Sequence, residues 1–177
     1  MPNVLEGKNQ ITQNYKIGIV QSKFNEFVTE KLLDGCIKTL VEKGIKSDNI
    51  DIIKVPGAFE IPTMTANMLQ QNTYSSIICI GAVIKGETPH FDYICSSISN
   101  EIVRLGSLSG IPVIFGILTT DTVDQAIERA GGKVGNKGSE AASSAIEMIS
   151  ILERMYQNHQ HSSSCNHDNG HNHDHHL

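Results

Sequence analysis

Tryptophan is absent from this chain, and aromatic residues together make up only 5% of its 177 positions. Positive charge is also short: 14 Lys and Arg stand against 19 Asp and Glu, for a formal net charge of −5 with no basic cluster. Nucleic-acid and anionic-membrane surfaces are built from basic patches, so neither partner is expected. No apolar run approaches the ~20 residues of a membrane span, and the N-terminus lacks the basic-then-apolar plan of a signal peptide. A soluble, cytoplasmic protein acting on small molecules is expected. Cysteine is scarce too. Cys36, Cys79, Cys95 and Cys165 show no CxxC spacing, and the first three fall in apolar strand or helix segments, where they read as small buried hydrophobes rather than a disulfide framework.

What is present is enough for one domain with a sizeable core, since 39% of the residues are hydrophobic. The most informative stretch is IICIGAVIKGETPHFD, residues 77–92. Its first eight residues form a nearly continuous apolar, β-branched run, the pattern of a parallel strand buried on both faces. The run stops at Lys85-Gly86-Glu87-Thr88-Pro89-His90. Phe91, Ile94, Ile98, Ile102 and Leu105 then recur at helical spacing. Thr88 is expected as the N-cap, with Pro89 as the first helical residue. The free amides of such a helix start would face the carboxyl end of the strand and favour an anion. Gly86 would let it approach the backbone, Lys85 adds charge nearby, and His90 brings an imidazole, a group that can exchange protons near neutral pH. An ordinary strand-to-helix connection with a surface histidine is the competing reading.

The other segments repeat this plan. Residues 1–14 are polar and aperiodic, and are expected to form an arm that is mobile or ordered only by a neighbour. Residues 16–22, KIGIVQS, read as a first strand, followed by a helix with the core stripe Val28, Leu32, Cys36 and Leu40 that Gly44 ends. Phe24 lies in the loop between them, as a ligand contact or as a lid on the core. Residues 49–55 form a second strand closed by Pro56-Gly57, and the next helix starts near Ala58, Phe59 and Glu60. Glu60 either complements the helix dipole or accepts hydrogen bonds from a polyol. Residues 113–118, VIFGIL, form a fourth strand that includes Phe115. Asp121 is expected to cap the following helix and Gly131 to stop it. Arg129, in its last turn, reads as a favourable cation at a helix C-terminus. Residues 132–138, GKVGNKG, lack the GxxxxGK[ST] spacing of a phosphate loop and are read as a turn between two helices. The last helix is expected over residues 139–156.

Strands alternating with helices imply an α/β fold: a three-layer α/β/α sandwich, flavodoxin-like, with a four-stranded parallel sheet covered by helices on both faces. Its strand ends would bring Phe24, residues 58–60, residues 86–90 and the residues beyond Phe115 to one edge of the sheet.

SKFNEFVTEKLLDGC, VPGAFEIP, GAVIKGETPHFDYI and GILTTDTVDQAIERAGGKVGNKGSEAA, in this order and at this spacing, resemble the signature segments of the lumazine synthase family over about residues 16–156. The resemblance implies condensation of 5-amino-6-(D-ribitylamino)uracil with 3,4-dihydroxy-2-butanone 4-phosphate to 6,7-dimethyl-8-ribityllumazine, phosphate and water, in riboflavin biosynthesis and without a cofactor. It implies that Phe24 stacks on the pyrimidine, that Ala58, Phe59 and Glu60 hold the ribityl chain, and that backbone groups of Val83 and Ile84 read the pyrimidine edge. Gly86, Glu87 and Thr88 would bind phosphate and His90 would transfer protons. Phe115, Arg129 and Lys137 would come from a neighbouring subunit, with Arg129 on the phosphate. A homo-oligomer is implied, a pentamer that can build a sixty-subunit shell and associate with riboflavin synthase. The compact turn at residues 131–136 and an arm with no proline beyond Pro2 favour the shell.

The C-terminal HQHSSSCNHDNGHNHDHHL holds seven of the eight histidines. Residues 158–177 are expected to form a disordered tail outside the residues 15–157 domain, because such a composition builds no core. His161, Cys165, His167, His171 and His173 offer imidazole and thiolate to a metal ion, with no part in catalysis. Three other functions compete: an archaeal-type riboflavin synthase, a non-catalytic shell or metal-storage protein, and a flavin-binding module. The loop ending in His90 speaks against the first, joint retention of Phe24, Glu60, His90 and Arg129 against the second, and the lack of a separate flavin loop against the third.

Overall fold

β-Branched residues dominate the segments that form the sheet. In the computed structural model, which describes residues 2, 4–11 and 13–164, these are β1 (Ile17–Ser22), β2 (Ile50–Val55), β3 (Ser76–Ile84) and β4 (Val113–Thr120). Every neighbouring pair is parallel, in the order β2-β1-β3-β4. Parallel pairing needs crossovers, which are supplied by α1 (Glu26–Glu42), α2 (Ile61–Gln70) and α3 (His90–Ser109). After β4 come the short α4 (Val123–Arg129) and the long α5 (Lys137–Ser164).

The period of two along each strand divides the core into two halves. Ile19, Ile78 and Ile80 face Leu32, Cys36 and Leu40 of α1 and Ala142 and Ile146 of α5. Val20, Ile77 and Cys79 face Ile61 and Met68 of α2 and Ile98 and Ile102 of α3. Burial of each large apolar side chain contributes about 1.5–3 kcal/mol, so the two half-cores fix which face each helix covers. The three-layer flavodoxin-like sandwich is therefore as expected. From β1 the chain moves outward to β2, then returns past β1 to β3 and β4. The order reverses between β1 and β3, and the carboxyl ends of those two strands frame a crevice.

Several local expectations need correction. Helix α3 starts at His90, with Pro89 in the cap position at φ −63 and ψ −3 and no side-chain cap. Pro fixes φ, but this ψ is not fully helical, so the first helical residue falls one later and Thr88 lies outside the cap. Thr122, not Asp121, caps α4: its backbone is extended and its hydroxyl accepts from the Gln125 N–H at 3.2 Å. The Gln125 side chain in turn accepts from the N–H of Asp121, the residue before the cap, at 2.9 Å. Between α4 and α5 the chain forms a two-stranded antiparallel hairpin, β5 (Ala130–Gly132) and β6 (Gly135–Asn136), instead of a plain turn. Gly131 and Gly135 take φ of +109 and +92, which glycine adopts without a Cβ clash. Helix α5 continues past Tyr156 to Ser164, since no Gly or Pro interrupts it there.

The described part of the N-terminal arm packs on its own chain. Ile11 is buried in the α1/α5 half-core, its N–H donates to the Lys43 carbonyl at 3.2 Å, and the Lys8 N–H donates to Ser150 Oγ at 2.9 Å. Arg154 also donates to the Glu6 carbonyl. No helix of the described residues is long and apolar enough to cross a membrane.

Candidate active site

Main-chain bonds continue past the end of β1 and carry the next two residues toward β2. The Lys23 N–H donates to the Val55 carbonyl at 2.8 Å and the Phe24 N–H to the Pro56 carbonyl at 3.0 Å. Phe24 is thereby fixed at its backbone while its ring stays 70% exposed. Residues Ala58–Glu60 form one 3-10 turn ahead of α2, and Glu60 Oε2 accepts from the Gly57 N–H at 2.9 Å. The dipole-complementing role of Glu60 is thus realised, and its second carboxylate oxygen remains available to a ligand.

Phe24, Ala58, Phe59, Glu60, Val83, Ile84, Gly86, Thr88 and His90 line one cavity of about 730 Å³. This volume suits a small organic ligand. Phe91, Tyr93 and Ile94 on the first turns of α3 complete the wall, and the sequence reading did not single these out as lining. Their helical period gave Phe91 and Ile94 to the core, whereas Tyr93 is 71% exposed.

The floor of the cavity meets the start of α3. Beyond β3 the Lys85 N–H donates to the Thr120 carbonyl at 2.9 Å, extending the β3–β4 ladder by one rung. Residues 86–89 then turn, with open space around the Cα of Gly86 where a side chain would stand. The His90 and Phe91 N–H groups open the helix and have no carbonyl to donate to within it. An anion in this position gains both those donors and the helix dipole. Glu87 sits in the same turn, exposed, without lining the cavity. Lys85 Nζ lies 3.9 Å from Asp121, so its charge is shared with β4's end.

Phe115, Arg129 and Lys137 are elsewhere. They line a second cavity, of about 350 Å³, along β4 and α5. Phe115 sits mid-strand opposite Cys79 and is 41% exposed, because β4 is the sheet edge. Arg129 donates to the Gln125 carbonyl at 3.1 Å and Lys137 pairs with Glu140 at 2.7 Å. Arg129 spends one donor on its own helix end, leaving most of the guanidinium fork unused. One chain therefore carries two partial constellations: an aromatic, carboxylate and imidazole set around α3, and a cationic set on the β4 edge.

Thiol chemistry is unsuited to the site. Burial pushes the Cys36 and Cys79 thiols up to about 12, and desolvation, then the Asp92 charge, raises Cys95. Thiolates are scarce under those conditions. Among the described residues no group of three or more His, Cys, Asp or Glu side chains could hold a metal ion. Cys165, His167, His171 and His173 lie outside the described residues, as does the side chain of His161.

The family model described as 6,7-dimethyl-8-ribityllumazine synthase matches residues 14–153. A 6,7-dimethyl-8-ribityllumazine synthase from Desulfatibacillum aliphaticivorans is 47% identical over 155 residues, covering 88% of this chain and 99% of that protein.

Proposed function

This chain belongs to the 6,7-dimethyl-8-ribityllumazine synthase family, and from that premise we propose that its two cavities are halves of one active site shared between neighbouring subunits. The reaction condenses 5-amino-6-(D-ribitylamino)uracil with 3,4-dihydroxy-2-butanone 4-phosphate, releasing phosphate and water, in riboflavin biosynthesis. What carries the shared-site reading is the gathering of Phe24, Ala58 to Glu60, Val83, Ile84, Gly86, Thr88 and His90 around one cavity while Phe115, Arg129 and Lys137 line another.

In this reading Phe24 stacks on the pyrimidine, the backbone of Val83 and Ile84 reads its edge, and Ala58, Phe59 and the spare oxygen of Glu60 hold the ribityl chain. Gly86, Glu87 and Thr88 place the phosphate at the start of α3. Phe115, Arg129 and Lys137 of the next subunit close the cavity, Arg129 against the phosphate. The uracil amine attacks the ketone and the imine forms with loss of water. A proton then leaves carbon as the phosphate departs. After tautomerisation the ribityl-bearing nitrogen attacks the remaining carbonyl and a second dehydration closes the ring. His90 moves protons in these steps, and developing phosphate charge is met by the loop amides and Arg129. None of the steps is a redox step, so no redox cofactor is required. Much of the acceleration comes from holding the two substrates together.

A homo-oligomer fits the exposed apolar side chains: Tyr93, Val103 and Leu108 on α3 and Phe115 on the open edge are each more than 40% exposed. A cytoplasmic pentamer, assembled further into a sixty-subunit shell that can associate with riboflavin synthase, is the assembly we infer. Residues 15–157 are its enzyme domain, residues 1–14 an arm and residues 158–177 a metal-binding tail without a catalytic part.

The test is a spectroscopic assay with both substrates, following fluorescent lumazine and free phosphate in wild type and Arg129→Ala. Product formation that weakens in the variant chiefly through the phosphate-bearing substrate supports the site. An unchanged variant removes Arg129 from it.

A further inference from the structure

Asn25 adopts a left-handed backbone, φ 59 and ψ 43, immediately after Phe24. A non-glycine residue in this region is held at some cost, and Asn bears it better than most because its short amide finds local partners. Here the compensation is specific. The Asn25 carbonyl accepts from the N–H groups of Val28 at 2.9 Å and Thr29 at 3.1 Å, which opens α1. Its side-chain Nδ2 donates to the Ala82 carbonyl at 2.9 Å, 57 residues away on β3.

The bond to Ala82 replaces a missing rung of the sheet. The β1–β3 ladder ends at Gln21 opposite Ile80, because β1 turns toward β2 at Lys23 and Phe24. The Ala82 carbonyl, two residues further along β3 and buried with its residue, receives the amide of Asn25 in place of a strand N–H. A buried carbonyl without a donor costs roughly 1–3 kcal/mol, so the link has a reason to persist. It ties the loop bearing Phe24 to the part of β3 that runs on past the end of β1, where Val83 and Ile84 line the cavity while still paired with β4.

We propose that Asn25 is a positioning residue: its side chain sets the separation between the Phe24 ring and the Val83–Ile84 backbone, and so the slot that receives the planar pyrimidine. The proposal rests on the reading above that Phe24 stacks on that substrate. Asn25→Gly keeps the left-handed backbone accessible and removes only the amide, which separates positioning from folding. Asn25→Asp keeps the shape and replaces the donor with an acceptor facing a carbonyl.

The experiment is a double-mutant cycle with Phe24→Ala, measuring KM for each substrate and kcat in intact assemblies, with thermal melting alongside. Expected is a rise of about 10-fold in KM for the pyrimidine substrate in Asn25→Gly, and a larger rise in Asn25→Asp, with KM for the phosphate-bearing substrate changed less than twofold. Combined with Phe24→Ala, Asn25→Gly should add little, because groups that act as one unit are non-additive. Fully additive effects, or equal changes in the two KM values, would overturn the proposal while leaving Phe24 in place. If Phe24→Ala itself leaves the pyrimidine KM unchanged, the stacking reading fails, and the proposal with it.

Discussion

His90 and Arg129 are separable at the residue scale because they line different cavities. With His90 as the proposed proton shuttle, His90→Ala should lower kcat by about 10²-fold with modest change in either KM, read by steady-state kinetics. With Arg129 as the proposed phosphate ligand, Arg129→Ala should lower kcat/KM for the phosphate-bearing substrate by about 10²-fold. A loss in kcat alone for Arg129→Ala would argue against phosphate binding. Glu30 gives a different kind of prediction. A hydrogen bond from Lys54, then one from Gln21, holds its carboxyl below the ordinary 4.5. The folded state therefore releases its proton more readily than the unfolded chain, so the pair stabilises above about pH 4.5 and this contribution is lost as pH falls through the lower folded value. Partial exposure keeps the effect small. Melting curves of wild type and Lys54→Met should differ at about pH 6 and converge on acidification, as Glu30 becomes protonated in both states. A gap that widens on acidification would contradict the sign.

Elements differ in how plainly they are written in the chain. β3 and α3 were readable because a β-branched run and a 3.6-residue period are strong signals, and the loop proposed to take the phosphate sits where one gives way to the other. The β5–β6 hairpin was not, since strands of three and two residues carry no period and their glycines resemble any turn. The packing of the arm was hidden for a related reason: its ties at Lys8 and Ile11 run through its own main-chain N–H groups, and Ile11 is the one described apolar residue of the arm that is buried. Asn25 follows Phe24 in an ordinary-looking loop, and its bond to Ala82 exists only once β1 and β3 are neighbours. At this scale Thr122→Ala should cost about 1 kcal/mol by chemical denaturation, because it removes the cap of α4. Asp121→Ala, the cap expected from sequence, should cost clearly less. Gly138 lets α5 approach α1, and a Cβ there would run into the Leu32 carbonyl. Gly138→Ala should cost at least about 1–3 kcal/mol.

For the whole molecule, the exposed apolar side chains and the division of site residues between two cavities point the same way. The residue types of the site were legible in sequence, and the resemblance already implied a neighbouring subunit for Phe115, Arg129 and Lys137; the two cavities that hold the groups became visible only with β4 placed at the sheet edge. Removing residues 165–177 should leave kcat and both KM values within twofold of wild type and reduce retention on immobilised Ni²⁺, since imidazole and thiolate suit that ion. A collapse of activity would give the tail a role that this account denies it. The shared site itself is tested most directly by complementation. Chains carrying His90→Ala and chains carrying Arg129→Ala, each nearly inactive as a homo-oligomer, would be co-expressed and the mixed assemblies assayed for lumazine formation. Where an Arg129→Ala chain supplies His90 and its His90→Ala neighbour supplies Arg129, the site is intact, so activity well above the sum of the two single variants is predicted. Activity no greater than that sum, in assemblies shown to contain both chains, would contradict a site built from two subunits.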